Sequence, residues 1–254
     1  MLLAIDIGNT NITLGVFDGE RLVSTWAVAT DTKKTADEYA VLLSSLLPGA
    51  GLAFEDIDNI SIACVVPPLL ATMEDLCSRY INTPPFVVGP GVKTGVRIRT
   101  DNPREVGADR IANAAAAHRL YGGTLIVIDF GTATTFDVIS KNGDYLGGAI
   151  APGIGITAEA LFTRTSKLPH VELIPPERTI GKNSVEAMQS GIMFGYVGLI
   201  ESLVTRIRKE LGEKARVIAT GGLLAVIASE TKKIDTVDKD LTLIGLRLIH
   251  EMNR

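Results

Sequence analysis

Apolar residues along this chain fall into short blocks separated by turn residues, and the blocks recur in one order. Leu2 to Ile7, Ile12 to Phe17 and Arg21 to Val28 read as three successive strands. A helical period follows from Ala36 to Leu47, opened by a Thr35/Glu38 capping box and stopped by Pro48-Gly49. Next come a buried strand at Ile60 to Val66, a helix at Leu69 to Tyr80 opened by Pro67-Pro68, a short strand at Phe86 to Val88, and a helix at Ala108 to Tyr121. The second half repeats the order. Strands are expected at Leu125 to Asp129, Thr134 to Ser140 and Tyr145 to Ile150, helices after Gly155 and after Asn183, a strand at Arg216 to Thr220, and helices at Leu223 to Ser229 and Leu241 to Met252. Gly122-Gly123 marks the expected boundary between an N-terminal lobe, residues 1–121, and a C-terminal lobe, residues 122–254.

The repeat extends to individual residues. Leu3 to Phe17 reads LAIDIGNTNITLGVF and Leu125 to Ile139 reads LIVIDFGTATTFDVI, so that Asp6 falls on Asp129 and Gly8 on Gly131. Each copy is a strand, a tight turn and a second strand, followed by a hairpin at Asp18-Gly19 or Asn142-Gly143. Two such units facing each other would bring two carboxylates and two glycine turns to one cleft. Carboxylates at 4 Å repel by about 1 kcal/mol in water and about 4 kcal/mol at an effective dielectric near 20, so the pair calls for a cation. The glycines allow close backbone approach, and Thr10, Thr13, Thr132, Thr134 and Thr135 offer hydroxyls to phosphate oxygens. Metal-bound ATP is the ligand this chemistry suits.

Composition narrows the remaining possibilities. With 254 residues, 46% of them hydrophobic, the chain can bury a substantial core. A formal charge of −4 with scattered basic residues leaves no electrostatic footprint for nucleic acid or an anionic membrane. Gly191 to Ile200, the longest apolar stretch, is too short for a membrane span, and the first apolar run is interrupted by Asp6 with no basic segment before it. Cys64 and Cys77 lack nearby Cys or His ligands and read as reduced core thiols, which points to the cytoplasm. The three histidines share no spacing and read as surface or packing residues. Gly153, Gly155 and Ala158 spell a dinucleotide fingerprint, but the acidic residues that follow, Glu172 and Glu177, lie in a Pro-rich loop, and that reading is set aside.

The duplicated order resembles the duplicated ribonuclease-H-like α/β fold of the actin, sugar kinase and heat-shock ATPase superfamily, in which two similar lobes flank a nucleotide cleft. Six phrases in fixed order make the resemblance specific: DIGNT at Asp6, DNPREVGADR at Asp101, DFGTATTFD at Asp129, GGAIAPG at Gly147, GKNSVEAMQSG at Gly181 and ATGG at Ala219. Together they resemble type III pantothenate kinase over essentially the whole chain. The resemblance implies a homodimer that transfers the γ-phosphoryl of ATP to pantothenate, giving 4'-phosphopantothenate in the first step of coenzyme A biosynthesis. A non-catalytic nucleotide-binding regulator of the same fold is the alternative reading.

The resemblance also implies site residues. ATP would be held by Asp6, Ile7, Gly8, Asn9, Thr10, Asn11, Ile12 and Thr13, with Thr132 on a phosphate, Asp6 near magnesium through water, and Ala219 to Gly222 near the adenosine. Asp129 would bind a monovalent cation, potassium or ammonium. Gly107, Ala108, Asp109, Arg110 and Ser184 would bind pantothenate, with Asp109 as proton acceptor. The residues by themselves place Asp109 and Arg110 at a helix start, where an aspartate is favoured and backbone N–H groups remain for a ligand. They leave open that Asp109 is only a first-turn helix acid, and that Ser184 caps its helix with Glu186. Thr100 departs from the resemblance, since many members carry a pocket-lining tyrosine there. Gly191, Gly195 and Gly198 recur on one helix face and suit either a dimer contact or an internal one.

Overall fold

The computed structural model describes all residues, Met1–Arg254. Packing divides them into two units: Met1–Arg97 with Asp101–Arg119 and Asp240–Arg254, and Ile98–Thr100 with Leu120–Lys239. One change of unit falls in the last turn of the Ala-rich helix, between Arg119 and Leu120, just before Gly122 and Gly123, both of positive φ. The last helix, expected in the C-terminal lobe, packs with the first unit instead.

The first unit is built on a five-stranded sheet. Its order is β3 (Arg21–Ala29), β2 (Asn11–Asp18), β1 (Leu2–Ile7), β4 (Asn59–Cys64) and β5 (Phe86–Val87). β1 pairs antiparallel with β2 and parallel with β4. Alternation puts Leu3, Ile5 and Ile7 on one face with their register partners Val16, Leu14 and Ile12, and with Ile60 and Ile62 of β4. α1 (Ala36–Leu46) and α2 (Pro67–Leu76) complete this core through Tyr39, Leu43, Leu69 and Met73. The Thr35 capping box is formed as expected, with Thr35 N–H donating to Glu38 Oε2 at 2.8 Å and Glu38 N–H donating to Thr35 Oγ1 at 3.3 Å.

The opposite face explains the return of the C-terminus. Ala4 stands in register between Gly15 on β2 and Ser61 on β4, which makes a row of small residues across three strands. α7 (Leu241–Met252) lies in that trough. A Cβ on Gly15 would be 2.8 Å from Leu243 Cδ1, and Ser61 Oγ donates to the Leu246 carbonyl at 3.2 Å. α7 also crosses α3 (Ala108–Tyr121), where a Cβ on Gly245 would be 2.0 Å from the Ala112 carbonyl oxygen. Thr242 Oγ1 donates to Asn113 Oδ1 at 2.7 Å in the same contact. His250 is buried on α7 with its ring edge-on to Phe86 at 5.7 Å, and burial pushes its imidazole below the ordinary histidine range.

The second unit carries a six-stranded sheet in the order β11 (Thr236–Val237), β10 (Arg216–Thr220), β7 (Leu125–Phe130), β8 (Ala133–Ile139), β9 (Asp144–Pro152) and β6 (Arg97–Ile98). Ile126, Ile128, Phe130 and Phe136 face α4 (Ile154–Thr163) and α5 (Ser184–Leu211) across one core. β6 and β11, two residues each, are too short to leave a periodic signal, and the helix expected over Leu223 to Ser229 is a single turn, α6 (Leu224–Ile227). α4 starts at Ile154, ahead of Gly155 rather than after it. α5 is a longer apolar element than its sequence suggested, and by length and composition alone it could cross a membrane. Its apolar positions Met188, Ile192, Met193, Tyr196, Ile200 and Val204 instead build this unit's core.

The two copies of the strand-turn-strand motif differ in one detail. Ile7 pairs with Ile12, whereas Phe130 pairs with Thr134, so the second turn closes with one residue fewer. Asp6 therefore stands opposite Thr13 and Asp129 opposite Thr135, and each aspartate shares a face with a cross-strand threonine.

Candidate active-site residues

In the first turn the chain leaves the sheet after Ile7, and Gly8 N–H donates to the Asn11 carbonyl at 3.0 Å. Thr30 pins the turn from both sides: its Oγ1 donates to the Gly8 carbonyl at 2.6 Å and its N–H to the Thr10 carbonyl at 2.9 Å. No local pattern marked Thr30, because its partners lie a whole hairpin away in sequence. Asn9, Thr10 and Asn11 are exposed, and Asp6, Gly8 and Thr13 are half-buried. Ile7 and Ile12 are fully buried in the core, so they can offer a ligand only their backbone.

In the second turn Gly131 N–H donates to the Ala133 carbonyl and Gly153 N–H to the Thr132 carbonyl, each at 3.1 Å. Gly153 is packed against the turn, since a Cβ there would be 2.4 Å from Thr132 O and 2.5 Å from Gly131 O. Thr132 is exposed at the tip. Thr134, expected among the ligand-facing hydroxyls, points into the core and shares a short hydrogen bond with the Tyr196 hydroxyl. The shorter turn causes this, because it puts Thr134 opposite the buried Phe130. Gly221 has φ +103, and a Cβ there would be 2.5 Å from both Asp129 Oδ1 and Phe130 N. Close packing over Asp129 is thus reason enough for glycine at that position.

Asp109 lies in the first turn of α3, as its spacing implied. Arg110 N–H donates to Asp109 Oδ1 at 2.8 Å, and a Cβ on Gly107 would be 2.4 Å from that oxygen. Glycine at 107 is what allows the carboxylate to fold back over the loop. Gly107, Ala108, Asp109 and Arg110 are all half-buried, neither sealed in the core nor fully solvated.

Ser184 opens α5 and is exposed, but the cap is Asn183. Asn183 Oδ1 accepts from Glu186 N–H at 2.9 Å and its Nδ2 donates to Glu186 Oε1 at 2.8 Å, so the capping role left open for Ser184 belongs to its neighbour. Ser184, Thr157, Leu161, Met188 and Gly191 line an open, mainly apolar hollow between α4 and α5. Thr100 sits with its methyl side toward Gly147, and its buried hydroxyl has no hydrogen-bond partner.

Both cysteines are free thiols. Burial pushes Cys77 up to about 12, and burial with the nearby Asp6 charge raises Cys64, so neither is suited to nucleophilic work. No group of three or more His, Cys, Asp or Glu side chains is arranged to hold a metal. Asp129 shares its sheet face with Thr135, its register partner across the strands.

Comparison with known proteins adds the family. A family model described as type III pantothenate kinase matches residues 2–206. A relative from Moorella thermoacetica described as a type III pantothenate kinase is 55% identical over 253 residues, covering 100% of each chain. Among solved structures, a Campylobacter jejuni protein provisionally described as a Baf family transcriptional activator aligns with TM-score 0.63 and 21% identity, over 99% of this chain and 98% of that one. A ROK family glucokinase from Streptomyces griseus, in complex with glucose and AMPPNP, aligns with TM-score 0.51 and 17% identity over 98% and 99%. At such identities these structures speak to fold alone, and the fold is one this chain shares with the Streptomyces griseus glucokinase and the Campylobacter jejuni protein.

Proposed function

The chain belongs to the type III pantothenate kinase family and phosphorylates pantothenate to 4'-phosphopantothenate with ATP as donor, and from that premise we propose how its residues divide the task. Asp109 accepts the proton of the substrate's primary hydroxyl. The observation that carries this assignment is the fixed carboxylate in the first turn of α3, with Oδ1 held by the Arg110 N–H and resting over Gly107. The Arg110 N–H orients one oxygen of the carboxylate, and a carboxylate has about four acceptor positions in all. Proton acceptance can come late, because the loose transition state of phosphoryl transfer asks mainly that the nucleophile be positioned. Arg110 supports the substrate's polar end with its planar guanidinium, Gly107 and Ala108 supply backbone groups, and Ser184 adds a hydroxyl that capping does not occupy.

The exposed Asn9 to Asn11 segment and Thr132 take the phosphates, with Gly8, Thr13 and the backbone of Ile7 and Ile12 completing the first turn. Asp6 holds magnesium through water, which suits an ion that dehydrates reluctantly. Magnesium, when bound, draws negative charge from the transferring phosphate. Asp129 holds potassium or ammonium. ADP release should therefore require pantothenate and rise when choline chloride is replaced by potassium or ammonium chloride at equal ionic strength. ADP release independent of pantothenate would sink the substrate assignment, and equal rates in all three salts would sink the monovalent-cation assignment.

The chain works as a homodimer through the outer face of α5. Gly191, Gly195 and Gly198 are exposed along that face, with open space where each Cβ would stand, so a second backbone could approach closely. Exposed Ile156, Leu161 and Phe162 on α4 and Val185 at the start of α5 supply apolar area on the same unit. Light scattering of wild type should give twice the 27.0 kDa chain mass, and Gly195→Arg should give a monomer. A monomeric wild type, or a Gly195→Arg dimer of undiminished affinity, would remove this assignment.

A further inference from the structure

The buried carboxylate of Asp137 takes no part in the mechanism above, yet it stands on the same face of the second unit's sheet as Asp129. It is fully buried on β8, and the hydrogen bonds it accepts include those from the Tyr145 hydroxyl to Oδ1 at 2.5 Å and from the Thr135 hydroxyl to Oδ2 at 3.1 Å. Tyr145 is itself 1% exposed, so the pair forms a fixed base beneath Thr135. Thr135 is half-buried and pairs directly with Asp129 across the sheet, which puts the two Cβ atoms about 4.5–5.5 Å apart on one face.

A hydroxyl has one proton and two lone pairs. Because Thr135 gives its proton to Asp137, the hydroxyl presents lone pairs rather than a donor to whatever sits beside Asp129. That orientation suits a cation and is wrong for a phosphate oxygen, which needs a donor. Asp129 is confined from the other side by the α-carbon of Gly221, where a Cβ would be 2.5 Å from Oδ1. One carboxylate and one neutral oxygen on the same sheet face form a hard donor set of single negative charge, which suits an ion of single charge.

We propose that Thr135 is a ligand of the monovalent cation held by Asp129, and that Asp137, itself held by Tyr145, is the positioning residue that turns the Thr135 hydroxyl toward the ion. The inference rests on the reading that Asp129 binds such a cation. It assigns Thr135 a role different from the phosphate-donor role its sequence suggested.

The test is the potassium dependence of the melting temperature of the full chain with magnesium and AMPPNP, choline chloride keeping the ionic strength constant. An ion that binds only the folded state raises the melting temperature, and its half-saturating concentration reports affinity without any turnover. Thr135→Val keeps the β-branched shape and should raise that concentration about tenfold or more, with the potassium dependence of kcat moving in parallel. Thr135→Ser should stay close to wild type. Asp137→Asn, which can offer Thr135 a donor in place of an acceptor, should weaken potassium binding as Thr135→Val does, and it answers the same question if Thr135→Val does not fold. If wild type responds to potassium, Asp129→Asn does not, and both Thr135→Val and Asp137→Asn match wild type, the inference falls while the Asp129 reading stands. A wild type indifferent to potassium overturns both.

Discussion

Asp109→Asn should lower kcat by on the order of 10² to 10⁴ while leaving the KM for ATP and the melting temperature close to wild type. Asparagine has the same shape, and its Oδ1 can still accept from the Arg110 N–H that orients the native carboxylate. What it cannot do is take the proton of the attacking hydroxyl. The turns proposed to hold the nucleotide are separate in sequence and held by their own backbone bonds, Gly8 to Asn11 in one and Gly131 to Ala133 in the other. The loss should therefore appear in the chemical step. Steady-state kinetics with calorimetric measurement of AMPPNP affinity separates the two effects. A variant with wild-type kcat would show that Asp109 is only a first-turn helix acid, and a variant that also lost nucleotide affinity would show that it holds the site together rather than serving as the base.

Gly245→Ala should destabilise the protein, against the usual sign of such a change. In an open helix, glycine to alanine gains about 1 kcal/mol of helix propensity. At this position the added carbon would meet the Ala112 carbonyl oxygen at 2.0 Å and the Ala112 carbonyl carbon at 2.5 Å. Both are backbone atoms of α3, so α7 must move away from α3 or α3 must shift. Overpacking of this kind typically costs about 1–3 kcal/mol. In a chain of this size each kcal/mol corresponds to roughly 2–4 °C of melting temperature, so a fall of about 2–12 °C is expected by scanning calorimetry. Gly49→Ala, where nothing lies within 4 Å of the added carbon, should change stability by no more than about 0.5 kcal/mol. A melting temperature for Gly245→Ala at or above that of wild type would mean that α7 does not pack on α3 as described. Because α3 carries Asp109 in its first turn, the same substitution should also depress kcat.

Much of the architecture was legible because its signals are local. Strand alternation, the Thr35 capping box and the glycine hairpins each depend on residues within a few positions of one another, and all are present as expected. The duplicated Asp-x-Gly phrase likewise identified the two turns, because a strand end and its turn are set by adjacent residues. The family followed from six phrases in fixed order, a property of the chain that needs no coordinates. Other assignments were out of reach for the same physical reason. Whether Thr134 faces ligand or core depends on a turn one residue shorter than its counterpart, and a one-residue change of register reverses the face of every side chain beyond it. Asn183 and Ser184 are adjacent hydroxyl- or amide-bearing residues, and only the geometry of the first turn decides which of them accepts from Glu186.

What the sequence alone determined about this protein is its element order, its duplicated turns and its family. Only the tertiary structure decided that the last helix belongs to the first unit, since the Gly15–Ala4–Ser61 trough is assembled from three strands separate in sequence. Only it decided that Gly107 and Gly221 are glycines because carboxylate oxygens of Asp109 and Asp129 occupy the space a side chain would need. The division has one cause: local pattern specifies dihedral angles and faces, whereas close approach between distant segments depends on register and packing, which no stretch of sequence contains by itself.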